Sequence, residues 1–307
     1  MPLKADPASA SDTLAPVVLF CYNRPHHLQQ TILSLRANYL AAETDLIIFS
    51  DGTRSQADEA DVQKVRNFLA TITGFKSIRV HAASQNLGLS GSVIQGVTDT
   101  LACHNAVIVL EDDMLTTPDF LEYMNQALSI YARRSNIFSV TAYAPPVAIP
   151  AGYPHDVYLA PRASSWGWAT WADRWAKADW SVQAFEKLKT DRAFRTRFVE
   201  GGDDLWPMLA KQQKGIIDSW AIRWTYSQFI NHALGLYPVR SKIRNIGTDG
   251  SGTNFTFKTG YYDADLNAGP VIMPTNLQPD SAVIREFRKY YRLPLYLKIK
   301  NRIKYGL

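Results

Sequence analysis

The run Val107-Ile108-Val109-Leu110-Glu111-Asp112-Asp113 decides how this chain is read. Four apolar residues in a row suit a short strand buried on both faces, as the strands of parallel sheets are. Three carboxylates follow without a break. In an open parallel sheet, ligands bind beyond the carboxyl ends of the strands, so these acids stand where a ligand would sit. Strand alternation predicts Glu111 and Asp113 on one face and Asp112 on the other. Three adjacent acids repel one another, and a divalent cation or a set of sugar hydroxyls relieves that repulsion. Mg²⁺ and Mn²⁺ take one or two carboxylates together with phosphate oxygens. A cap on the helix starting near Thr117 would explain one of the three acids and leave two without a role.

Working outward, the same strand-then-helix unit repeats. Val17 to Tyr22 reads as a buried strand, and Pro25 to Tyr39 as a helix with Leu28, Ile32 and Leu35 on one face. Leu46 to Ser50 is a second strand, ending at Asp51-Gly52, and Ala57 to Thr71 a second helix. Ser77 to Ala82 is a third strand, Gly91 to Cys103 a third helix, Ala106 to Leu110 the fourth strand and Pro118 to Arg133 the fourth helix. Strands alternating with helices predict an α/β fold with a mainly parallel sheet covered on both faces. Beyond that the composition changes. Residues 135–180 are rich in Pro, Gly, Trp and Tyr, and all eight tryptophans lie between Trp166 and Trp224. This shift predicts a second region packed on the first sheet, with a boundary near 115–135.

Composition narrows the alternatives. A chain of 307 residues with 46% hydrophobic and 20% charged residues is long enough for one large or two modest globular domains. Its two cysteines, Cys21 and Cys103, exclude a disulfide scaffold and a cysteine-based zinc site and read as small core residues. The stretch Met1 to Pro16 has no apolar core segment and is not read as a secretory signal. No run of about 18 apolar residues is present to cross a membrane as a helix. The net charge of +5 is uneven: Ile284 to Leu307 holds eight bases and one acid, or +7, and the remainder sums to −2. A near-neutral body disfavours a nucleic-acid-binding surface spread over the fold. In the tail, bases alternate with apolar and aromatic residues, and Pro294 splits the pattern into two segments. Such a stretch suits an anionic membrane surface, or a terminal helix packed on the fold or on another subunit.

Further candidates gather at the strand ends. Asp51 suits hydrogen bonds to a ribose or base, or a plain Asp-Gly turn. Asn23-Arg24-Pro25 ends the first strand, where Arg24 suits a diphosphate; His26 and His27 read as solvating the helix start. Asn86-Leu87-Gly88-Leu89-Ser90-Gly91 opens a helix whose N-terminus favours an anion, with a spacing that fits neither G-x-G-x-x-G nor a P-loop. Asp218 precedes a helix read over Ser219 to Asn231 and suits both its N-cap and a general base, with Asp173, Asp203 and Asp204 as rivals. Trp171 and Trp175 read as core, and Trp166 and Trp168 as a pocket wall for sugar stacking. Gly247 to Asn254 reads as a flexible polar loop able to close over a ligand.

Together these features resemble the donor half of GT-A-fold glycosyltransferases, as in family 2. The chain is also similar to the N-acetylglucosaminyltransferases that start hybrid N-glycans and to bacterial polysaccharide and lipopolysaccharide glycosyltransferases. The similarity runs from about Val17 to about Phe257. It rests on Phe20 to Arg24, Leu110 to Met114, Pro118-Asp119-Phe120, Trp166-Gly167-Trp168, and Asp218-Ser219-Trp220 with Arg223. The resemblance implies that Asp113 binds Mn²⁺ or Mg²⁺, and that Asp112 and Glu111 contact the ribose and the transferred sugar. It implies that Asp218 is the base, although that family often has Asp where Ser219 stands here. Asn23, Arg24, Asp51, Asn86 and Gly88 would complete the donor site, with Trp166, Trp168 and Trp220 toward the acceptor. Where many GT-A enzymes carry a metal-binding histidine this chain has Asn254, with Asp249 as a substitute ligand.

The organisation expected is a disordered leader (1–15), a nucleotide-sugar-binding half (16–125), an acceptor-binding and catalytic half (126–275) and a basic amphipathic tail (276–307). The expected activity is metal-dependent, inverting transfer of a sugar from a nucleotide diphosphate sugar, UDP-linked, to a glycan or lipid-linked saccharide. The expected location is the cytoplasm, at the inner face of the membrane if the tail binds lipid. A non-catalytic glycan-binding protein and a sugar-nucleotide pyrophosphorylase are the alternatives. The latter needs a glycine-rich loop after the first strand, where Cys21-Tyr22-Asn23-Arg24 offers none.

Overall fold

The computed structural model describes residues 14–250 and 260–305. The first half alternates as read: β1 (Val17–Cys21), α1 (Pro25–Arg36), β2 (Asp45–Ser50), α2 (Glu59–Leu69), β3 (Ser77–Ala82), α3 (Gly88–Leu101), β4 (Ala106–Glu111), β5 (Met114–Thr116) and α4 (Phe120–Ile130). The second half comprises β6 (Ile137–Thr141), β7 (Val157–Ala160), β8 (Trp168–Trp171), α5 (Ala172–Trp175), α6 (Phe185–Thr190), α7 (Arg192–Phe198), α8 (Leu205–Gln213), α9 (Trp220–Ile230), β9 (Leu234–Pro238), β10 (Ile243–Asn245), α10 (Ser281–Tyr290) and α11 (Leu295–Tyr305).

Eight strands form one sheet in the order β3-β2-β1-β4-β8-β6-β9-β7. The first four pair in parallel. β8 runs antiparallel between β4 and β6, β9 is parallel to β6, and β7 is antiparallel to β9. All strands but β8 and β7 therefore point the same way, and the α/β class with a mainly parallel sheet is as expected. The sheet runs on through the expected boundary, and residue 125 lies inside α4. Beyond the change of composition near residue 135 the sheet becomes mixed, with β8 and β7 reversed among strands that keep the first direction.

Apolar runs on the central strands supply both faces. Leu19, Leu46, Ile48, Ile108 and Leu110 meet Leu28, Ile32 and Leu35 of α1, Val65 and Leu69 of α2, and Leu121, Met124 and Leu128 of α4. On the other face Val18, Phe20, Val107 and Val109 meet Val93 and Val97 of α3 and Trp220 and Trp224 of α9. Each such side chain stabilises the fold by about 1.5–3 kcal/mol on full burial. Cys21 is buried as read, but Cys103 is exposed: it lies past the last turn of α3, where no packed face continues.

Two additions surround this sandwich. Helices α6, α7 and α8 bring Leu188, Phe198, Leu205 and Leu209 onto Ile222 and Tyr226 of α9. Helix α10 seats Val283 and Phe287 on Tyr158 and Tyr237 of the outer strands. A small ribbon pairs β5 with β10 in antiparallel register, Asn245 opposite Met114. This pairing carries Ile246 and Gly247 across the end of β4, where Ile246 N–H donates to the Asp113 carbonyl at 2.9 Å.

Candidate active site

The site is built on the end of β4. Glu111 is the last strand residue, opposite Phe20 of β1. The chain turns at Asp112 and Asp113 before β5 begins, so the strand alternation expected for these acids stops at Glu111. Both aspartates instead face Arg24. Its guanidinium pairs with the Asp112 carboxylate and sits 2.9 Å from Asp113 Oδ2. The backbone N–H of Tyr22 also donates to Asp112 Oδ2, at 3.3 Å. Thr31 of α1 pins the turn: its hydroxyl donates to the Asp112 carbonyl at 2.8 Å and accepts from Met114 N–H at 3.0 Å. Sequence reading missed Thr31, because a threonine on the buried face of a helix carries no signal of a partner 81 residues away.

Three carboxylates share one guanidinium, and the electrostatics follow from that deficit. Glu111 has no direct ion pair among the described residues; burial pushes its pKa up to about 8, Asp113 and Asp112 add to the rise, and Arg24 opposes it. Asp112 is pushed up to about 6, burial outweighing its bond to Arg24. Burial works against the Arg24 charge, but the two aspartates more than offset it and its pKa is raised. A cluster left so electron-rich is suited to a further cation or to hydroxyl donors.

Asp113 is the acid with spare capacity. Its Oδ1 is buried and has no hydrogen-bond partner among the described residues. Gly247 lies directly over the other oxygen: a Cβ at Gly247 would fall 2.1 Å from Asp113 Oδ2 and 2.8 Å from Arg24. Only glycine allows the loop to cross there. The same loop brings the Asp249 carboxylate to 3.2 Å from His27 Nε2, so His27 meets a loop from the far end of the chain rather than only solvent. Among the described residues no group of three or more His, Cys, Asp or Glu side chains is set to hold a metal ion. One free carboxylate oxygen is nonetheless what a divalent ion asks of a protein when ligand phosphates supply the rest. The residues present fit such a group. Asn254 lies outside the described residues.

Other expected donor residues are spent on the protein itself. Both oxygens of Asp51 accept from the loop before α3: Leu87 N–H at 2.8 Å, Gly88 N–H at 3.0 Å and Asn86 Nδ2 at 3.0 Å, with Gly52 N–H at 2.8 Å. The acid of β2 thus satisfies the first amides of α3, which starts at Gly88 rather than Gly91, and its charge suits the positive helix end. Asn86 also donates to the Gly52 carbonyl at 2.8 Å, and Asn23 to Asp58 at 2.8 Å. Asp51 and Asn86 shape the edge of the site with their own polar atoms already engaged.

Asp218 stands at a second feature of the same edge. Helix α9 leads into β9, which is parallel to β6, so the N-terminus of α9 lies at the carboxyl ends of the parallel strands, as does that of α3. Their contact is direct: the Arg223 guanidinium donates to Ser90 Oγ at 2.5 Å. The cap of α9 is Ser219, whose Oγ accepts from Ile222 N–H, so Asp218 is not the N-cap expected. Its exposed carboxylate pairs with Arg223 at 3.2 Å in an open cleft of about 480 Å³ that Ser90, Gly91 and Gln95 also line. The acids of β4 do not line this cleft. Glu111 is nevertheless in alternation with Val107 and Val109, which face α3 and α9. The rival acids are engaged elsewhere: Asp204 with Arg162 at 2.7 Å, Asp203 with Lys298, and Asp173 with Arg174 at 2.7 Å.

The tryptophans divide. Trp168 and Trp220 stack at 4.9 Å inside a buried indole cluster with Trp175 and Trp224. Trp168 is therefore core, not a pocket wall, and Trp220 has no open face for a sugar. Trp171 and Trp175 are core as read. Gly167, in left-handed backbone (φ +55°), separates Trp166 from Trp168 and sends the two rings to opposite sides of the sheet. Trp166 is half-buried, edge-on to Tyr143 at 4.7 Å and Tyr262 at 5.4 Å.

Residues 17–147 match the family described as Glycosyl transferase family 2. The matched residues hold β1 to β6 and every acid of the β4 cluster. Among solved structures the chain is similar to TarS of S. aureus at 12% identity, covering 75% of this chain and 60% of that one with a TM-score of 0.39. It is similar to the galactosyltransferase LgtC, in complex with donor and acceptor sugar analogs, at 12% identity, covering 69% and 70% with a TM-score of 0.38. TM-scores this low carry no argument for the present chain. No curated protein matches it.

Proposed function

We propose that the chain transfers a sugar, with inversion, from a nucleotide diphosphate sugar, UDP-linked, to a hydroxyl of a glycan or lipid-linked saccharide. The observation that carries this reading is the unpartnered, buried Asp113 Oδ1 at the end of a parallel strand inside a family 2 segment. Asp113 would hold Mn²⁺ or Mg²⁺. Bound there, the ion would neutralise charge on the departing diphosphate.

The chain's own residues supply the rest. Arg24 fixes Asp112 and Asp113 in one orientation and brings a positive charge to the phosphate side. Glu111, whose pKa is raised by burial and by the neighbouring aspartates, would meet a hydroxyl of the transferred sugar. Asp218 accepts the proton of the acceptor hydroxyl as its oxygen bonds to the anomeric carbon. The bond from that carbon to the phosphate oxygen breaks, and the nucleotide diphosphate leaves. The pair with Arg223 holds the Asp218 carboxylate beside the N-terminus of α9. Half-buried Trp166, edge-on to Tyr262, offers the acceptor an aromatic surface.

The test is release of nucleotide diphosphate from a panel of UDP-sugars with Mn²⁺ and oligosaccharide acceptors. The wild-type chain should turn over at least one donor, and Asp218→Asn should not. Binding of glycans with no release from any donor would favour a non-catalytic glycan-binding protein.

A further inference from the structure

The basic tail is two elements with opposite surroundings. Helix α10 is held by its buried Val283 and Phe287. Helix α11 has no fully buried residue. Its half-buried positions are Leu297, Asn301 and Tyr305, one turn apart, on the side turned to the body. Tyr305 fixes that side to α8: its carbonyl accepts from Lys214, and Lys211 lies 4.6 Å from its ring centre.

Leu295, Ile299 and Ile303 each precede one of those positions by two residues. Two steps are about 200° around a helix, so the apolar side chains stand on the side away from the protein. Their exposures of 73%, 50% and 82% agree, and Tyr296 is 67% exposed beside them. Cations flank this ridge on both sides. Lys300 and Lys304 follow Ile299 and Ile303 by one residue; Lys298 and Arg302 precede them by one. No acid occurs from Phe287 to Tyr305, and the chain before Ile284 sums to −2. Asp203 pairs with Lys298 and Arg288, leaving Lys300, Arg302 and Lys304 without an acidic partner among the described residues.

A terminal helix that merely packed would turn its apolar residues inward. Here they face out with bases on each flank, as in a helix lying in the plane of a lipid interface: apolar side chains enter the headgroup layer and the long cations snorkel to the phosphates. We propose that α11 docks the protein on an anionic bilayer through Leu295, Tyr296, Ile299 and Ile303, with Lys300, Arg302 and Lys304 on the lipid phosphates. No helix among the described residues is long and apolar enough to cross a membrane, so the contact is peripheral. The proposal is independent of the catalytic reading, because none of these residues belongs to the candidate active site.

The experiment is co-sedimentation of the full chain with vesicles of phosphatidylcholine and phosphatidylglycerol, and with phosphatidylcholine alone. The wild type should pellet with the anionic vesicles and stay in the supernatant with neutral ones, and added salt should release it. The triple variant K300E/R302E/K304E should lose on the order of 10²-fold in partitioning, at about five-fold per base. Ile299→Ser with Ile303→Ser should lose binding as well. Both variants should keep the wild-type melting temperature, since no altered residue is buried. Wild type remaining in the supernatant with anionic vesicles would overturn the proposal, as would either variant pelleting like wild type. A self-association abolished by the serine variant, without vesicle binding, would assign the ridge to a second copy and overturn the lipid reading.

Discussion

At the scale of single residues, Asp218 and Ser219 divide two roles that sequence reading gives to Asp218 alone. Ser219 caps α9, and Asp218 projects beside it toward Arg223. Asp218→Asn should therefore leave thermal unfolding unchanged while turnover falls by about 10²–10⁴-fold, read from the rate of nucleotide release. Ser219→Ala should do the reverse, costing about 1 kcal/mol in a melting experiment with donor affinity intact. Equal loss of stability from both would return Asp218 to the cap. The acids of β4 were legible because three carboxylates after an apolar run have few structural uses. Their orientation was not: period 2 holds only within a strand, and this chain turns at Asp112. Asp51 was legible as a strand-end acid, but its partners Leu87 and Gly88 lie 36 and 37 residues on, and no local pattern announces them.

At the scale of elements, the β5–β10 ribbon and the left-handed Gly167 do what periodicity could not foresee. The ribbon lays Gly247 on Asp113. Gly247→Ala should force the loop off the acids and weaken nucleotide binding, measured by calorimetry. Unchanged affinity would mean the loop takes no part in the site. Gly167 turns Trp166 and Trp168 to opposite sides, so a pair that reads as one aromatic wall becomes one core indole and one half-buried ring. Trp168→Ala should cost about 3–5 kcal/mol in thermal or denaturant unfolding, as large core aromatics do. A loss below about 1 kcal/mol would show that Trp168 is not core. Strands β1, β2 and β4 were legible almost to the residue because buried parallel strands are short, continuous apolar runs. The strands after residue 135 were not, since prolines and tryptophans there mask both the period of 2 and that of 3.6.

At the scale of the whole molecule, one sheet carries both the acid cluster and the α3–α9 cleft at the carboxyl ends of its parallel strands. Net positive charge is concentrated in the last two helices, with eight bases and one acid from Ile284 to Leu307. α10 is structural: Phe287→Ala should destabilise the fold by about 3–5 kcal/mol through the cavity it leaves against Tyr158 and Tyr237, measured by denaturant unfolding. The central claim is that Asp113 joins a nucleotide diphosphate through a divalent ion. Titration calorimetry of UDP with and without Mn²⁺, on the wild type and on Asp113→Ala, tests it most directly. Removing one of three mutually repelling acids opens no cavity in the apolar core, so the variant should melt no lower than the wild type. The account predicts that wild type binds UDP only with Mn²⁺ and that Asp113→Ala binds in neither condition. Mn²⁺-dependent binding of equal strength in a folded Asp113→Ala chain would contradict it.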